Sequence, residues 1–217
     1  MGRYSLLARE IEKLKTAFLL LGGTVEDRFR KAADALEILD RDTASFVIEG
    51  DRDIDLMEVN LEEECLKILA LYQPVAVDLR FIITVLKVNN DLERIGDLAV
   101  NLSEAVLDLG ESDNFKMPFN FGEMAQKAGE MFRNSLNALV NQDILLAEKV
   151  RHSDNEVDAL YREAQEKVSA DIGRHPEHVD AMLQVLRISS SLERIADLAC
   201  NIAEDVIYLV DGSIVRH

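Results

Sequence analysis

Acidic residues recur along this chain at the spacing that stacks them on one face of a helix. Asp51 stands four residues before Asp55, Glu93 four before Asp97, Asp154 four before Asp158, and Glu193 four before Asp197. Residues at i and i+4 share a helical face, so each pair presents two carboxylates side by side. Gathered carboxylates repel one another unless protonated or neutralised by cations. All-oxygen donor sets suit hard or borderline ions such as Mg, Ca, Mn and Fe, and Zn less well without Cys or His. Cation binding is the chemistry these residues point to.

Two of the four pairs lie inside a run that the chain states twice. Leu92-Glu93-Arg94-Ile95-Gly96-Asp97-Leu98-Ala99 returns 100 residues later as Leu192-Glu193-Arg194-Ile195-Ala196-Asp197-Leu198-Ala199. Each copy continues to an asparagine and a glutamate, Asn101 with Glu104 and Asn201 with Glu204. These extend the acidic strip at i+8 and i+11 and are candidate additional ligands. Other matches, such as Ala35-Leu36 with Ser135-Leu136 and Pro74 with Pro176, carry the repeat through the whole chain.

The elements that must position these residues follow from the apolar pattern. The first half, residues 1–109, reads as three helices: Tyr4 to about Leu39, with Gly22-Gly23 as a candidate kink; Asp42 or Thr43 as cap of a second helix reaching Tyr72; and Val75 to Leu109 after a break at Pro74. Residues 110–118 read as a linker. The second half, residues 119–217, repeats the plan as Phe119–Val140, Ile144–Ile172 and His178–Val210, with a break at Gly173 to Pro176. Long helices joined by short turns pack antiparallel. The fold class expected is all-α, two tandem antiparallel three-helix bundles.

In such a hairpin, residues equidistant from the turn lie level. Asp55 with Glu93, and Asp51 with Asp97, both centre on Pro74; Asp158 with Glu193, and Asp154 with Asp197, centre between His175 and Pro176. Each half thus brings four acidic residues level, about 27 Å from its hairpin tip at a rise of about 1.5 Å per residue.

Composition narrows the function classes. The 217 residues carry a formal net charge of −17, a hydrophobic content of 48% and only 6% aromatics. A polyanion of this kind is repelled by phosphate backbones and anionic lipid headgroups, which argues against nucleic-acid binding. No stretch approaches the roughly 20 apolar residues of a membrane span, and the first residues lack a signal-peptide pattern. The chain reads as cytoplasmic, without direct membrane insertion. Cys65 and Cys200 sit among apolar neighbours and read as buried structural thiols. His152, two residues before Asp154, reads as solvent-facing rather than as a ligand. No glycine-rich phosphate loop is present, nor the Glu-x-x-His of di-iron proteins.

The doubled Leu-Glu-Arg-Ile-x-Asp motif, together with Gln73-Pro74-Val75-Ala76-Val77-Asp78-Leu79-Arg80 at the first hairpin tip, resembles the PhoU family of phosphate-response regulators. The resemblance covers essentially the whole chain. It implies two three-helix bundles that bind multinuclear iron or zinc clusters. On matching positions the ligands are Asp51, Asp55, Glu93 and Asp97 in one half, and Asp154, Asp158, Glu193 and Asp197 in the other. Many members have His after the motif aspartate, where this chain has Leu98 and Leu198. A nitrogen ligand there is excluded, and the metal's identity stays open among Fe, Zn, Mn, Mg and Ca.

The resemblance also implies a role: a cytoplasmic, homodimeric negative regulator of the phosphate-starvation response. Such a regulator couples a phosphate ABC transporter, through its ATPase, to a sensor histidine kinase. It sits at the inner membrane only through those partners. The leading expectation is therefore a non-enzymatic metal-binding adaptor. Two other classes stand beside it. One is a carboxylate-cluster enzyme, hydrolytic or redox, for which the chain supplies no evident base or nucleophile. The other is a plain helical bundle with an acidic surface that needs no metal.

Overall fold

The computed structural model describes residues 2–109 and 117–212, with side chains from Leu6 onward. Among them the chain is helical throughout and contains no strand. In the first half α1 spans Gly2–Ile38, α2 Arg41–Glu49, α3 Asp51–Tyr72 and α4 Ala76–Leu109. In the second α5 spans Gly122–Asn141, α6 Ile144–Arg174 and α7 Val179–Asp211, with a short 3₁₀ turn, Pro176–His178, before α7. The expected breaks at Pro74 and before Pro176 are both present. Gln73 closes α3 in the left-handed region, at φ 48° and ψ 60°. Most of the expected 110–118 linker, residues 110–116, lies outside the described residues, as does His217.

Three expectations are corrected. Helix α1 runs through Gly22-Gly23 without interruption. Gly22 serves packing instead: a Cβ there would meet Leu136 Cδ1 at 3.1 Å, so α5 lies close against it. The cap of the second helix is Asp40, whose carboxylate accepts from the amides of Asp42 and Thr43 at 3.0 and 3.2 Å. And that helix is not one piece.

It breaks at Gly50, between α2 and α3. The Arg28 guanidinium from α1 fills the notch, donating to the carbonyls of Phe46 (3.0 Å) and Val47 (3.5 Å) and lying over the Phe46 ring. A Cβ on Gly50 would stand 1.6 Å from Arg28 Nη1. The side chain that satisfies the freed carbonyls is thus the one that requires glycine. In the second half Ala128 and Ser153 occupy the matching positions, and α6 continues unbroken.

The two bundles share one core and are related by a pseudo-twofold axis. Helices α1 and α5 cross antiparallel, with Phe29 seated over its own counterpart Gly129 (3.1 Å to an added Cβ) and Arg133 paired to Glu26 at 2.6 Å. Helices α4 and α7 cross in the same sense. Arg80 donates to the Leu209 carbonyl (3.2 Å), Lys87 to Asp205 (2.7 Å), and Arg187 to Asn101 (2.6 Å) and to Glu104. The further along α4 a residue lies, the nearer its partner is to the start of α7. Both helices are apolar round most of their circumference, from Ile82 to Leu109 and from Met182 to Leu209. No helix among the described residues is long and apolar enough to cross a membrane.

Arg28 and Gly50 are expected to be energetically coupled. Arg28→Ala leaves two carbonyls without their donor, a loss of about 1–3 kcal/mol. Gly50→Ala displaces the guanidinium and costs a similar amount. In the double variant the alanine no longer meets a guanidinium, so the two losses fall short of adding by at least about 1 kcal/mol. Urea unfolding of all four proteins checks this, and simple additivity would refute the account.

Candidate metal centres

The first acidic group is built where α3 meets α4. Asp51 opens α3 immediately after the Gly50 break and Asp55 follows one turn later; Glu93 and Asp97 face them from α4. Between the carboxylates the helices touch directly. Ile54 is buried, and a Cβ on Gly96 would stand 3.4 Å from its side chain, an ordinary contact distance. The small fifth residue of the duplicated motif therefore sets how closely α3 approaches. In the second half, Val157 and Ala196 occupy these positions, both fully buried, the smaller side chain matching the larger partner.

The electrostatics show that the strips face each other. Partial burial pushes the Asp51 carboxyl up, helped by repulsion from Asp55 and from Asp97 across the hairpin, with Arg28 opposing. Glu93 is pushed up by burial, then by Asp97, Glu58 and Asp55, with Arg94 opposing. Asp97 is raised by burial and by Asp55. In the second half burial raises Glu193, followed by repulsion from Asp197, Asp158 and Asp154, with Arg194 opposing. All eight residues expected as primary ligands thus enter into two separate groups of mutually repelling carboxylates.

These groups are loose. Among the described residues no three Asp, Glu, His or Cys side chains are placed so as to hold one ion. Asp55, Asp97 and Asp197 are exposed, while Asp51, Glu93, Asp154, Asp158 and Glu193 are partly buried. The donor chemistry nonetheless suits a cation: anionic oxygens in excess on facing helices, with few opposing guanidiniums. Chelation requires the carboxylates to turn inward from the positions seen here.

The four candidate additional ligands are placed differently. Asn101 and Glu104 accept from Arg187 of α7, at the seam between the repeats. Glu204 stands 3.5 Å from Arg151 Nε, and Asn201 is exposed. The strip turns out of the acidic groups here because α4 and α7 continue past the hairpins and meet each other. His152 is exposed, its Nδ1 lying 2.6 Å from the Glu148 carbonyl, outside the second group.

Several functional neighbours escape the sequence pattern. Glu58, one turn beyond Asp55, is pushed up by burial and then by Glu62 and Asp55. Its Oε1 accepts from Asn89 at 2.9 Å, the amide being 1% exposed. The i+3 spacing was a signal, but the second half has Tyr161 at the matching position. Cys200 is free and buried beside the second group. Burial holds its thiol protonated, with Asp154 and Asp197 adding to the effect. Cys65, also free, is pushed up to about 12 by burial. Both thiols are buried, as their apolar neighbours indicate.

Comparison with known proteins agrees with this architecture. The PhoU domain family model matches residues 18–106 and 121–206, one match per half. The chain is 37% identical over 211 residues to the phosphate-specific transport system accessory protein PhoU homolog of Aquifex aeolicus, covering 97% of this chain and 96% of that protein. It is 31% identical over 208 residues to the accessory protein PhoU of Escherichia coli K12, covering 96% and 86%. The crystal structure of PhoU from Pseudomonas aeruginosa superposes with a TM-score of 0.90 at 37% identity, over 95% of this chain and 99% of that one. The phosphate transport system regulatory protein PhoU from Streptococcus pneumoniae superposes at 0.89 and 29% identity, over 97% and 100%. These are names of accessory and regulatory proteins rather than of enzymes. Matched in both halves and along nearly its whole length, the chain belongs to the PhoU family.

Proposed function

We propose that this protein is a metal-binding adaptor that represses the phosphate-starvation response, coupling a phosphate ABC transporter, through its ATPase, to a sensor histidine kinase. The observation that carries the reading is the pair of facing carboxylate groups, repeated on a helical scaffold whose relatives are named accessory proteins of phosphate-specific transport. Asp51, Asp55, Glu93 and Asp97 would hold cations in one half, and Asp154, Asp158, Glu193 and Asp197 in the other. A bound cation supplies positive charge that cancels the repulsion and ties α3 to α4 and α6 to α7. The protein acts as a homodimer in the cytoplasm and reaches the inner membrane through its partners. Exposed Leu66, Leu71, Val75, Val77 and Leu79 near the first hairpin tip offer those partners an apolar surface on an otherwise acidic protein.

The metal reading has a pH signature. Asp51, Glu93, Asp97 and Glu193 have carboxyl pKa values above their ordinary ones, so without cations the native state holds these protons more tightly than the unfolded chain. Their contribution to stability is present at low pH and is lost as pH rises through the carboxylate range. A Glu93→Gln/Asp97→Asn/Glu193→Gln variant is therefore expected to melt above the parent in chelator at neutral pH, with the gap shrinking toward acid. Saturating Mn, Fe or Zn at about 100 times Kd should raise the parent's Tm by about 5–10 °C and the variant's by much less. A variant no more stable than the parent at neutral pH in chelator would refute the repulsion. A parent unmoved by every metal tested would refute the centres.

The regulatory reading is tested in cells. Deletion of the gene is expected to leave a phosphate-starvation reporter switched on in phosphate-rich medium, with complementation by the parent and none by the triple variant. A reporter that stays repressed after deletion would sink the adaptor role whatever the metal result.

A further inference from the structure

The seam between α4 and α7 opens into a groove of about 410 Å³, lined by Arg94, Asp97, Leu98 and Asn101 and by their counterparts Arg194, Asp197, Leu198 and Asn201. Every lining position appears twice, so the pseudo-twofold axis runs through the groove. Its size is that of a small-molecule site. Arg94 and Arg194 are exposed and reach into it, and neither makes a hydrogen bond or ion pair with another of the described residues. Other basic residues of this seam are engaged: Lys87 by Asp205, and Arg187 by Asn101 and Glu104. In a chain of net charge −17, Arg94 lies within the field of Glu93 and Asp91 and Arg194 within that of Glu193, but neither guanidinium is hydrogen-bonded to a carboxylate, which leaves its N–H donors for an external acceptor.

The groove combines two kinds of donor. Guanidiniums bind planar or tetrahedral oxyanions through forked N–H donors, and the exposed Asn201 amide adds a further polar group. Asp97 and Asp197, by contrast, repel an anion and attract a cation. A free oxyanion meets opposing charges here. An oxyanion that arrives with a divalent cation meets complementary ones, since the metal screens the carboxylates while the phosphoryl oxygens face the arginines.

We propose that this inter-repeat groove is a binding site for a metal-complexed phosphate-type oxyanion, with Arg94 and Arg194 holding its oxygens and Asp97 and Asp197 each presenting a cation of its own carboxylate group. The assignment rests on the metal reading of those two aspartates. It adds a ligand that the two repeats bind jointly, so that neither half forms the site alone. Leu98 and Leu198, both nearly buried, floor the groove and keep the polar groups at its rim.

Isothermal titration calorimetry on the full-length protein tests this with inorganic phosphate, pyrophosphate and ATP, each with Mn²⁺ and with chelator. At least one oxyanion is expected to bind with Mn²⁺ and at least tenfold more weakly in chelator. The arms identify whether a mono-, di- or nucleoside phosphate is held. Arg94→Ala/Arg194→Ala is expected to reduce that binding at least tenfold while keeping the Mn²⁺-induced rise in Tm. Arg94→Lys/Arg194→Lys should recover part of it. Absence of binding by all three oxyanions up to millimolar concentration, beside an intact Mn²⁺ shift, would overturn this site and leave the metal centres standing. No Mn²⁺ shift and no oxyanion binding would overturn both. Oxyanion binding that is indifferent to the arginine substitutions would place the ligand elsewhere.

Discussion

The antiparallel contact of α4 with α7 is the constraint on which the rest of the structure depends. Each helix is buried against its own bundle on one side and against the other repeat on the next, which leaves only a narrow polar strip. The duplicated motif lies along that strip. Leu92, Ile95 and Ala99, with Leu192, Ile195 and Ala199, are fully buried, so Glu93, Asp97 and their counterparts have no freedom to rotate away as part of the backbone. Close-packed interiors transmit such constraints rather than relaxing them. The carboxylates face α3 and α6 because the core puts them there.

This packing makes the acidic groups a consequence of burial rather than of charge. An acidic surface spreads its carboxylates to lower their repulsion. Here the partly buried Asp51 interacts across helices with Asp97, and Glu193 with Asp158, both partly buried, where screening by water is weaker. Arg28 and Arg94 oppose only part of that repulsion. The repulsion is held in place by a core too well packed to give way.

Much of this was legible in the sequence. The i, i+4 pairs, their duplication and the shared midpoints at the two prolines placed eight carboxylates in two facing groups, and Asp51, Glu93, Asp97 and Glu193 of those groups are pushed up. What escaped depends on contacts between elements remote in sequence. Arg28 notches the second helix at Gly50, eighteen and nineteen residues from the carbonyls it serves, and no periodicity announces that. Asn101 and Glu104 continue the strip in spacing, but Arg187, more than eighty residues away, takes them into the seam. Gly22 resembled a kink because glycine usually weakens a helix. Its reason is Leu136, visible only once α1 and α5 are packed.

The repeat is symmetric in its motif and asymmetric in what surrounds it. The first group has Arg28 beside Asp51 and the extra carboxylate of Glu58, anchored by Asn89. The second has neither; Ala128, Tyr161 and Ser189 stand at the matching positions, and the buried Cys200 lies against Asp154. Two sites that share four carboxylates therefore differ in opposing charge, in donor number and in the softness of their nearest neighbour. Cation affinity follows ligand charge count and donor type, so equal occupancy of the two halves would require these differences to cancel. Ile54 over Gly96 against Val157 with Ala196 shows how such a pair of halves diverges: volume is kept across the contact while the residues themselves change. Packing holds the two helix hairpins to one geometry, and the polar surroundings, which packing does not fix, are free to make the two sites unequal.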